Sequence, residues 1–206
     1  AQQVVIYTDF LRTLDTQNLL SGYAEMLKHG LLSSHQEMTL LGSFDAFNPD
    51  FALLATLIQS SIAIKANIVA QDPTEKGIRK ALNLGHTIGH AFESYSHATG
   101  RPILHGYAVA WGLIGELFLS HKLQGFPQSV LLDTVRFIKD NYGVFEITCN
   151  DYPALYEYMA HDKKNATAGE VNFTLLKDVG NIVPNCIVEK ELIFQALDFY
   201  RDSVGI

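Results

Sequence analysis

The residues best suited to chemistry lie within one short stretch, residues 79–93. His86 and His90 are four residues apart, Asn83 precedes His86 by three, and Arg79 precedes Asn83 by four. On one continuous helix, residues three or four apart are neighbours, so this stretch predicts four polar side chains on a single face. Two imidazoles one turn apart can bind a metal ion or transfer protons, although the same spacing also fits a solvated face of an amphipathic helix.

Two glycines interrupt this stretch, Gly85 and Gly89. Each costs about 1 kcal/mol in a helix interior relative to alanine. Their presence predicts that another backbone, a metal shell or a ligand comes close to this face.

A third metal ligand has to come from another part of the chain. Catalytic zinc sites take three protein ligands from His, Asp or Glu and keep a fourth position open. His105 follows the central stretch, and Glu25 precedes it on a predicted helix. His86 and His105 are therefore candidate ligands. The spacing leaves the choice between Glu25 and His90 as the third ligand open, since no HExxH motif is present.

The elements that must position these residues are mostly helices. Apolar residues at helical spacing predict further helices at residues 21–34, 51–69, 107–119, 127–141, 152–160 and 189–200. An alternating run at residues 171–176 and a second β-like run at residues 181–188 predict a small hairpin, and the β-branched run at residues 4–7 predicts a short strand. We therefore expect a single, mainly α domain over residues 1–206 with a small β-hairpin.

Two lysines on predicted helices allow opposite interpretations. Glu25 and Lys28 are three residues apart, which is typical of an ordinary surface ion pair. Lys65 is the only charged residue in the apolar segment 51–69. It fits a surface side chain whose stem covers apolar neighbours, and it equally fits a buried cation aimed at an anion.

Composition excludes several classes of protein. With 48% hydrophobic and 18% charged residues, the chain is not expected to be disordered, and its net charge of -7 argues against general nucleic-acid binding. No uninterrupted apolar run reaches the roughly 18 residues that span a bilayer, so we expect no membrane partner. The first residues lack the basic and apolar regions of a signal peptide. Cys149 and Cys186 form no CxxC pair, which favours structural thiols in a reducing compartment.

Four segments, in order along the chain, resemble 3-dehydroquinate synthase. They are SGYAEMLKHGLL, IKANIVAQDPTEKGIRKALNLGHTIGHAFES, LHGYAVAWGL and HDKKN. The corresponding family patterns are a G-x-AE-x-x-K helix, a D-x-x-E-x-G-x-R-x-x-LN-x-GHT-x-GHA core, LHGEAVA and a late DKK. The resemblance covers residues 4 to about 188, and its central motif is far more specific than two histidines four residues apart.

The resemblance implies a role for each matching residue. It implies that the metal is held by Glu25, His86 and His105. The groups implied to act in catalysis are His90, Lys28 and Glu75. The positions implied to contact substrate, besides Lys28, are Lys65, Arg79, Asn83 and one or both of Lys163 and Lys164. Arg and Lys suit the two anionic ends of a phosphorylated sugar acid, so Lys65 is expected to turn inward, towards Arg79 or Asn83.

The resemblance also implies an activity and its cofactors. The family belongs to the shikimate pathway of aromatic amino acid biosynthesis and converts 3-deoxy-D-arabino-heptulosonate 7-phosphate into 3-dehydroquinate and phosphate. It implies Zn²⁺, or Co²⁺ at the same site, and NAD that is used catalytically. It further implies a phosphorylated sugar acid as substrate, a homodimer and a cytoplasmic location.

The sequence departs from the family pattern in two ways. Tyr107 replaces the Glu of LHGE, and Pro73-Thr74 replace a charged pair, which bears on substrate detail. Family members also begin with a Rossmann-like domain whose Gly-rich turn holds NAD, and no turn of that kind occurs in these 206 residues. The resemblance therefore implies the C-terminal, metal- and substrate-binding domain alone, inactive by itself.

Three other functions fit parts of the pattern. They are a related sugar-phosphate cyclase, a metal-dependent polyol or alcohol dehydrogenase domain, and a non-catalytic metal-binding module. A cyclase whose substrate lacks a carboxylate has no need of an Arg fork, so Arg79 together with Asn83 argues against it. The dehydrogenases lack the set of lysines and arginine that a phosphate and a carboxylate require. The retention of that set, with His90, also argues against a non-catalytic module.

Overall fold

Eight α-helices and one antiparallel two-stranded sheet form the part of the chain that the computed structural model describes, residues 4–161 and 170–206. The helices are α1 (Thr16–Leu31), α2 (His35–Gly42), α3 (Phe51–Gln71), α4 (His86–Ala98), α5 (His105–Gln124), α6 (Gln128–Tyr142), α7 (Tyr152–Ala160) and α8 (Lys190–Val204). Short 3-10 helices cover Thr8–Thr13, Ile78–Asn83 and Cys149–Asp151, and the strands are β1 (Val171–Asp178) and β2 (Asn181–Val188). The predicted mainly α fold with a hairpin is confirmed.

Helix α5 is the centre of the core. Almost every residue between Gly106 and Ser120 is buried, as expected for a helix whose sequence is apolar all round. Helices α1, α4, α6 and α8 and strand β1 all pack against it. The helix therefore fixes the relative positions of the elements that carry the candidate site.

Helices α4 and α5 approach each other through glycines. A Cβ atom on Gly112 would lie 2.2 Å from the carbonyl oxygen of Gly85, and one on Gly89 would lie 3.0 Å from the carbonyl oxygen of Ala108. Any side chain at these positions would force the two backbones apart. The prediction that another backbone comes close to Gly85 and Gly89 is confirmed.

The predicted continuous helix from Arg79 to His90 is wrong. Residues Ile78–Asn83 form a 3-10 helix, and Gly85 then takes a left-handed conformation with φ of 77° before α4 begins at His86. The carboxylate of Glu116, buried in α5, accepts hydrogen bonds from the amides of Gly85 (2.6 Å) and Ile88 (3.0 Å) and so caps α4. His86 and His90 share one face of α4, whereas Arg79 and Asn83 belong to a separate element.

Helix α3 matches the predicted helix, but most of its apolar surface is not in the core. The Asp50 side chain caps it by accepting from the amides of Ala52 and Leu53, and Asp72-Pro73 follows its end. Its buried residues are Leu54, Leu57, Ser61 and Ile68. By length and composition alone, the helix could cross a membrane, a property that core helices of soluble proteins share. In its most apolar 18-residue window, 22% is buried inside the protein.

The hairpin differs from the prediction in its burial. Strand β1 was expected to alternate, yet Phe173 to Leu176 are all buried, because the strand packs against α5 and also contacts the 3-10 helix Ile78–Asn83. The predicted strand at residues 4–7 is wrong: the segment has no strand partner among the described residues, and its apolar side chains are exposed.

The other predicted helices are confirmed with small changes at their ends, and one helix was missed. Helix α2 begins where the Ser34 side chain accepts from the amide of Glu37, a capping pattern that the sequence contained. Lys163 and Lys164 lie outside the described residues.

Candidate metal centre

Three elements bring Glu25, His86 and His105 to one point. Glu25 lies on α1, and the two histidines are the first residues of α4 and α5. Glu25 Oε1 is 3.2 Å from His86 Nε2 and 3.6 Å from His105 Nε2. Tetrahedral ligands that are each about 2.1 Å from a zinc ion are separated by about 3.4 Å. Both distances from Glu25 Oε1 therefore match the spacing that such an ion requires.

The second nitrogen of each imidazole is already hydrogen-bonded. His86 Nδ1 donates to the carbonyl oxygen of Leu84 at 3.0 Å, and His105 Nδ1 donates to Glu93 Oε2 at 3.1 Å, as assigned from the hydrogen-bond network. These bonds leave Nε2 of both rings as lone-pair donors that face Glu25. A carbonyl or carboxylate on the other nitrogen is the usual support of a metal-binding histidine.

Lys28 is not part of a surface ion pair, so that expectation is wrong. The residue is only 2% exposed, and its ammonium donates to Glu25 Oε2 at 2.6 Å and to the carbonyl oxygen of Leu82 at 3.0 Å. Helix α1 buries this side because it packs on α5 and α3. Lys28 therefore holds one carboxylate oxygen of Glu25 and leaves the other directed at the histidines.

The remaining oxygen of Glu25 is available to bind a cation. Glu25 Oε1 is buried and accepts no hydrogen bond from any described residue. Burial by itself raises the pKa of this carboxyl, but His105, His86 and Lys28 outweigh burial, and the pKa lies well below its ordinary range. Burial lowers the pKa of His86 although Glu25 opposes it, so a neutral ring faces an ionised carboxylate. The donor set fits a divalent metal ion.

His90 lies one turn further along α4 and belongs to the same cluster. Its ring centroid is 5.4 Å from that of His86 and 5.8 Å from that of His105. One ligand atom from each of the three histidines lies within 4.8 Å of the others. The structure thus brings both candidate third ligands, Glu25 and His90, to the metal centre.

The residues expected to contact substrate are less closely gathered. Arg79 is half-buried, donates to the carbonyl oxygen of Pro73 at 3.0 Å, and lies 3.8 Å from the Glu75 carboxylate. Asn83 and Glu75 line one polar cavity of about 260 Å³. The structure therefore places Arg79, Glu75 and Asn83 in one neighbourhood, close in sequence to His86.

Lys65 does not meet the expectation that it turns inward. Its side chain is exposed on α3 and makes no hydrogen bond or ion pair with any residue in 4–161 or 170–206. Burial lowers the pKa of the nearby His29 to about 4, and the positive charges of Lys28 and Lys65 act in the same direction. The exposure of Lys65 agrees with the interpretation of this residue as a surface side chain.

Comparison with known proteins identifies the family. The family model described as 3-dehydroquinate synthase C-terminal matches residues 22–165. The chain belongs to this family.

Two similar proteins are bacterial 3-dehydroquinate synthases. The chain is 55% identical over 203 residues to that of Parabacteroides distasonis, covering 98% of this chain and 57% of the relative. It is 40% identical over 196 residues to that of Listeria innocua, covering 93% and 52%. The chain therefore spans about half the length of these 3-dehydroquinate synthases.

Solved structures share the fold. One is 2-deoxy-scyllo-inosose synthase complexed with carbaglucose-6-phosphate, NAD⁺ and Co²⁺, with a TM-score of 0.77, 23% identity, and coverage of 92% of this chain and 54% of that one. Another is 2-epi-5-epi-valiolone synthase from Streptomyces hygroscopicus with NAD⁺ and Zn²⁺ bound, with a TM-score of 0.73, 22% identity, and coverage of 95% and 54%. At this identity they show the fold of the 3-dehydroquinate synthase C-terminal family and no more.

Sequence reasoning missed two carboxylates that support the site of this 3-dehydroquinate synthase C-terminal domain. Glu93 accepts a hydrogen bond from His105. Because the two residues lie on different helices, their spacing in the sequence does not predict this contact. Glu116 caps α4 below His86, and it did carry a signal: a carboxylate in the middle of an apolar, buried helix needs hydrogen-bond donors.

Proposed function

We propose that this chain is the metal- and substrate-binding part of a 3-dehydroquinate synthase. The whole enzyme would convert 3-deoxy-D-arabino-heptulosonate 7-phosphate into 3-dehydroquinate and phosphate, in the shikimate pathway of aromatic amino acid biosynthesis. The observation that carries the proposal is the convergence of Glu25 Oε1, His86 Nε2 and His105 Nε2 with a buried oxygen that no described donor satisfies. The 3-dehydroquinate synthases of Parabacteroides distasonis and Listeria innocua share 55% and 40% of their residues with this chain, whereas the two sugar-phosphate cyclases share 22–23%.

Glu25, His86 and His105 would hold a divalent ion, Zn²⁺ or Co²⁺. When bound, the ion supplies Lewis-acid polarisation of a substrate hydroxyl. The two solved cyclase structures hold Co²⁺ or Zn²⁺ together with NAD⁺, which supports the same pair of cofactors here. The carboxylate and two imidazoles also suit both metals chemically.

His90 would transfer protons rather than bind the ion. Its ring lies beside both metal-binding imidazoles, and an imidazole can gain and lose a proton near neutral pH. Lys28 would keep Glu25 ionised and oriented, through the 2.6 Å bond to Oε2. This role places Lys28 behind the carboxylate, so we propose it as a positioning residue of the catalytic centre.

The anionic ends of the substrate would be bound by the remaining polar residues. Arg79 presents a planar fork suited to a carboxylate, and Asn83 an amide in the adjacent cavity. The Glu75 carboxylate would balance the positive charge of Arg79, whose Nε lies 3.8 Å from Glu75 Oε2. Lys163 and Lys164 would be further substrate-binding residues. The homodimer and the cytoplasmic location expected from the sequence stay predictions.

The experiment that tests this function compares two ligands on the Co²⁺-loaded chain. The first is a phosphonate analogue of the heptulosonate phosphate, which carries a carboxylate, and the second is carbaglucose-6-phosphate, which does not. We expect the first to change the visible absorption of Co²⁺ at lower concentration than the second. The reverse preference would identify a related sugar-phosphate cyclase.

A variant and its control locate the carboxylate contact. Arg79→Met should remove the preference for the carboxylate-bearing analogue, whereas Arg136→Met, an exposed arginine on α6, should leave it intact. A chain that binds metal but neither analogue would be a non-catalytic metal-binding module, and the proposed function would fail.

A further inference from the structure

Glu116 is a buried carboxylate at the point where α5 meets the beginning of α4. Its side chain is fully buried, in a helix that is otherwise almost entirely apolar. Carboxylates are rarely buried, because removing their charge from water is unfavourable unless hydrogen bonds replace the lost hydration. Glu116 is neither a proposed metal ligand nor a proposed substrate contact, so its burial indicates a role that the proposed function does not include.

Both oxygens of Glu116 accept hydrogen bonds from the beginning of α4. Oε2 accepts from the amide of Gly85 at 2.6 Å, and Oε1 accepts from the amide of Ile88 at 3.0 Å. Amides at the start of a helix have no acceptor within that helix, and the helix dipole favours a negative charge beside them. The short bond to Gly85 is typical of an ionised acceptor, so Glu116 holds α4 as a carboxylate ion.

The peptide unit between Leu84 and Gly85 connects Glu116 with His86. Glu116 accepts from the N–H of this unit, and the C=O of the same unit, which belongs to Leu84, accepts from His86 Nδ1 at 3.0 Å. Because a peptide unit is planar and rigid, a partner that fixes its N–H also fixes the direction of its C=O. Linked hydrogen bonds also polarise one another in a low-dielectric interior. The carboxylate therefore orients the His86 ring and strengthens the carbonyl that accepts from it.

The second histidine of the metal centre has a supporting carboxylate of its own. Glu93 Oε2 accepts directly from His105 Nδ1 at 3.1 Å. Glu93 lies on α4 and supports a histidine of α5, whereas Glu116 lies on α5 and supports a histidine of α4. Support of this kind at Nδ1 leaves Nε2 as the ligand atom and raises its basicity. The arrangement at His86 differs in that one peptide unit separates the ring from its carboxylate.

Ser120, one turn further along α5, shows what a purely structural polar residue does in the same helix. It is fully buried as well. Its Oγ accepts from the amide of Leu176 at 3.1 Å and donates to the main-chain carbonyl oxygen of Glu116 at 2.8 Å. These bonds tie strand β1 to α5 and involve none of the residues proposed to hold the ion. Ser120 therefore offers a matched control, because its loss removes buried hydrogen bonds without touching α4.

We propose that Glu116 is a positioning residue of the metal centre, which acts on His86 through the peptide unit between Leu84 and Gly85. It sets the direction of the ring and favours the form that carries its hydrogen on Nδ1, so that Nε2 can bind the ion. The inference rests on the proposed function for the identity of the ion. The hold of Glu116 on His86 requires no ion, so the two proposals can fail separately.

The first measurement is Zn²⁺ affinity, determined by competition with a chromophoric chelator. Glu116→Gln preserves the size of the side chain but replaces one oxygen with an NH₂ group, which would face an amide hydrogen of Gly85 or Ile88. It should weaken Zn²⁺ binding about tenfold or more, since loss of such outer support costs about 10–100-fold. Glu116→Asp retains the charge but is shorter by one methylene, and should weaken binding less. Ser120→Ala should leave the affinity unchanged even where it lowers the urea midpoint of unfolding.

The second measurement uses the metal-free chain. A ¹⁵N spectrum of the histidine rings, recorded in EDTA near neutral pH, distinguishes a ring nitrogen that carries hydrogen from one that does not. The Nδ1 signal of His86, identified by its absence in His86→Gln, should have the position of a protonated nitrogen in the unmodified chain and in Ser120→Ala. In Glu116→Gln it should shift towards the position of a bare nitrogen. A general loss of stability would not produce this shift in the folded protein.

Three results would overturn the positioning role. Unchanged Zn²⁺ affinity or an unchanged His86 signal in folded Glu116→Gln would leave Glu116 only as a cap of α4. Equal losses in Ser120→Ala would assign the effect to general destabilisation of α5. If Glu116→Gln does not fold, the same two measurements on Glu116→Asp decide, and values equal to those of the unmodified chain overturn the proposal. Failure of the unmodified chain to bind Zn²⁺ would reject the proposed function, while the His86 signal would still test Glu116.

Discussion

Glu25 Oε1 and His86 Nε2 face each other at 3.2 Å as two hydrogen-bond acceptors. The hydrogen-bond network assigns the hydrogen of the neutral His86 ring to Nδ1, which donates to the carbonyl oxygen of Leu84, and His105, His86 and Lys28 keep Glu25 ionised. Two lone pairs at this distance repel unless a cation lies between them. The pair therefore gives a physical reason, independent of any family pattern, to expect metal at this point.

Substituting Glu93→Gln should weaken metal binding without removing a ligand. Glu93 Oε2 accepts from His105 Nδ1 at 3.1 Å and keeps Nε2 of that ring available. Loss of such a supporting carboxylate typically costs about 10–100-fold in metal affinity. Competition with a chromophoric chelator measures the Zn²⁺ dissociation constant. Glu189→Gln, at an exposed position before α8, is the control, and equal affinities in the two variants would refute a positioning role for Glu93.

His86 and His90 should differ in their effect on metal content. His86→Ala removes one of three proposed ligands and should abolish stable binding of Zn²⁺. His90→Ala should leave the ion bound, while slowing the full-length enzyme by about 10²–10⁴-fold through lost proton transfer. Metal analysis of both purified variants, with the exposed His97→Ala as control, decides between the ligand sets. Zinc lost from the His90 variant would establish the three-histidine set instead.

The sequence predicted those parts of the fold that depend on local pattern. Helix α5 and the hairpin follow from runs of apolar residues, and the glycines of α4 correctly indicated a close backbone. The break at Gly85 was not predictable, because its left-handed turn is fixed by Glu116 and Gly112 on another helix. The burial of Lys28 could not be predicted either, because a Glu and a Lys three residues apart occur both on exposed helix faces and on faces packed against a core.

The isolated chain should not complete the reaction. No Gly-rich turn that would bind a dinucleotide occurs in its 206 residues, and the proposed reaction uses NAD catalytically. We expect no phosphate release from 3-deoxy-D-arabino-heptulosonate 7-phosphate when Zn²⁺ and NAD⁺ are added in excess. A coupled phosphate assay makes the measurement, with full-length Parabacteroides distasonis enzyme as the positive control. Sustained release by the purified chain would show that the site is complete without further residues.

His29 should make the stability of the domain depend on pH. It is 4% exposed, its Nδ1 lies 2.7 Å from Ser61 Oγ, and burial lowers its pKa to about 4. The unfolded chain, in which a histidine has a pKa of about 6.5, then binds more protons between these values. The free energy of unfolding should therefore rise with pH from about 4 to about 6.5, by up to about 3 kcal/mol from this residue.

The measurement for His29 is urea unfolding at several pH values within that window. His29→Gln should flatten the dependence, while His97→Gln, an exposed histidine at the end of α4, should keep it. The slope persisting unchanged in His29→Gln would assign the pH dependence to other groups.

A pair of glycine substitutions tests the contact that positions the whole centre. In Gly112→Ala the new Cβ would lie 2.2 Å from the carbonyl oxygen of Gly85 and 2.7 Å from the amide nitrogen of Gly89, both backbone atoms that cannot rotate away. Overpacking of this kind costs about 1–3 kcal/mol or more, and the forced separation of α4 from α5 should also move His86 away from His105 and weaken Zn²⁺ binding. In Gly22→Ala, on α1, no atom lies within 4 Å of the new Cβ, so the helix should gain up to about 1 kcal/mol with metal affinity unchanged. Urea unfolding and chelator competition on both variants provide the measurements. If Gly112→Ala unfolds at the same urea concentration as the unmodified chain, the two helices do not meet as closely as described, and the spacing of the metal ligands would lose its structural basis.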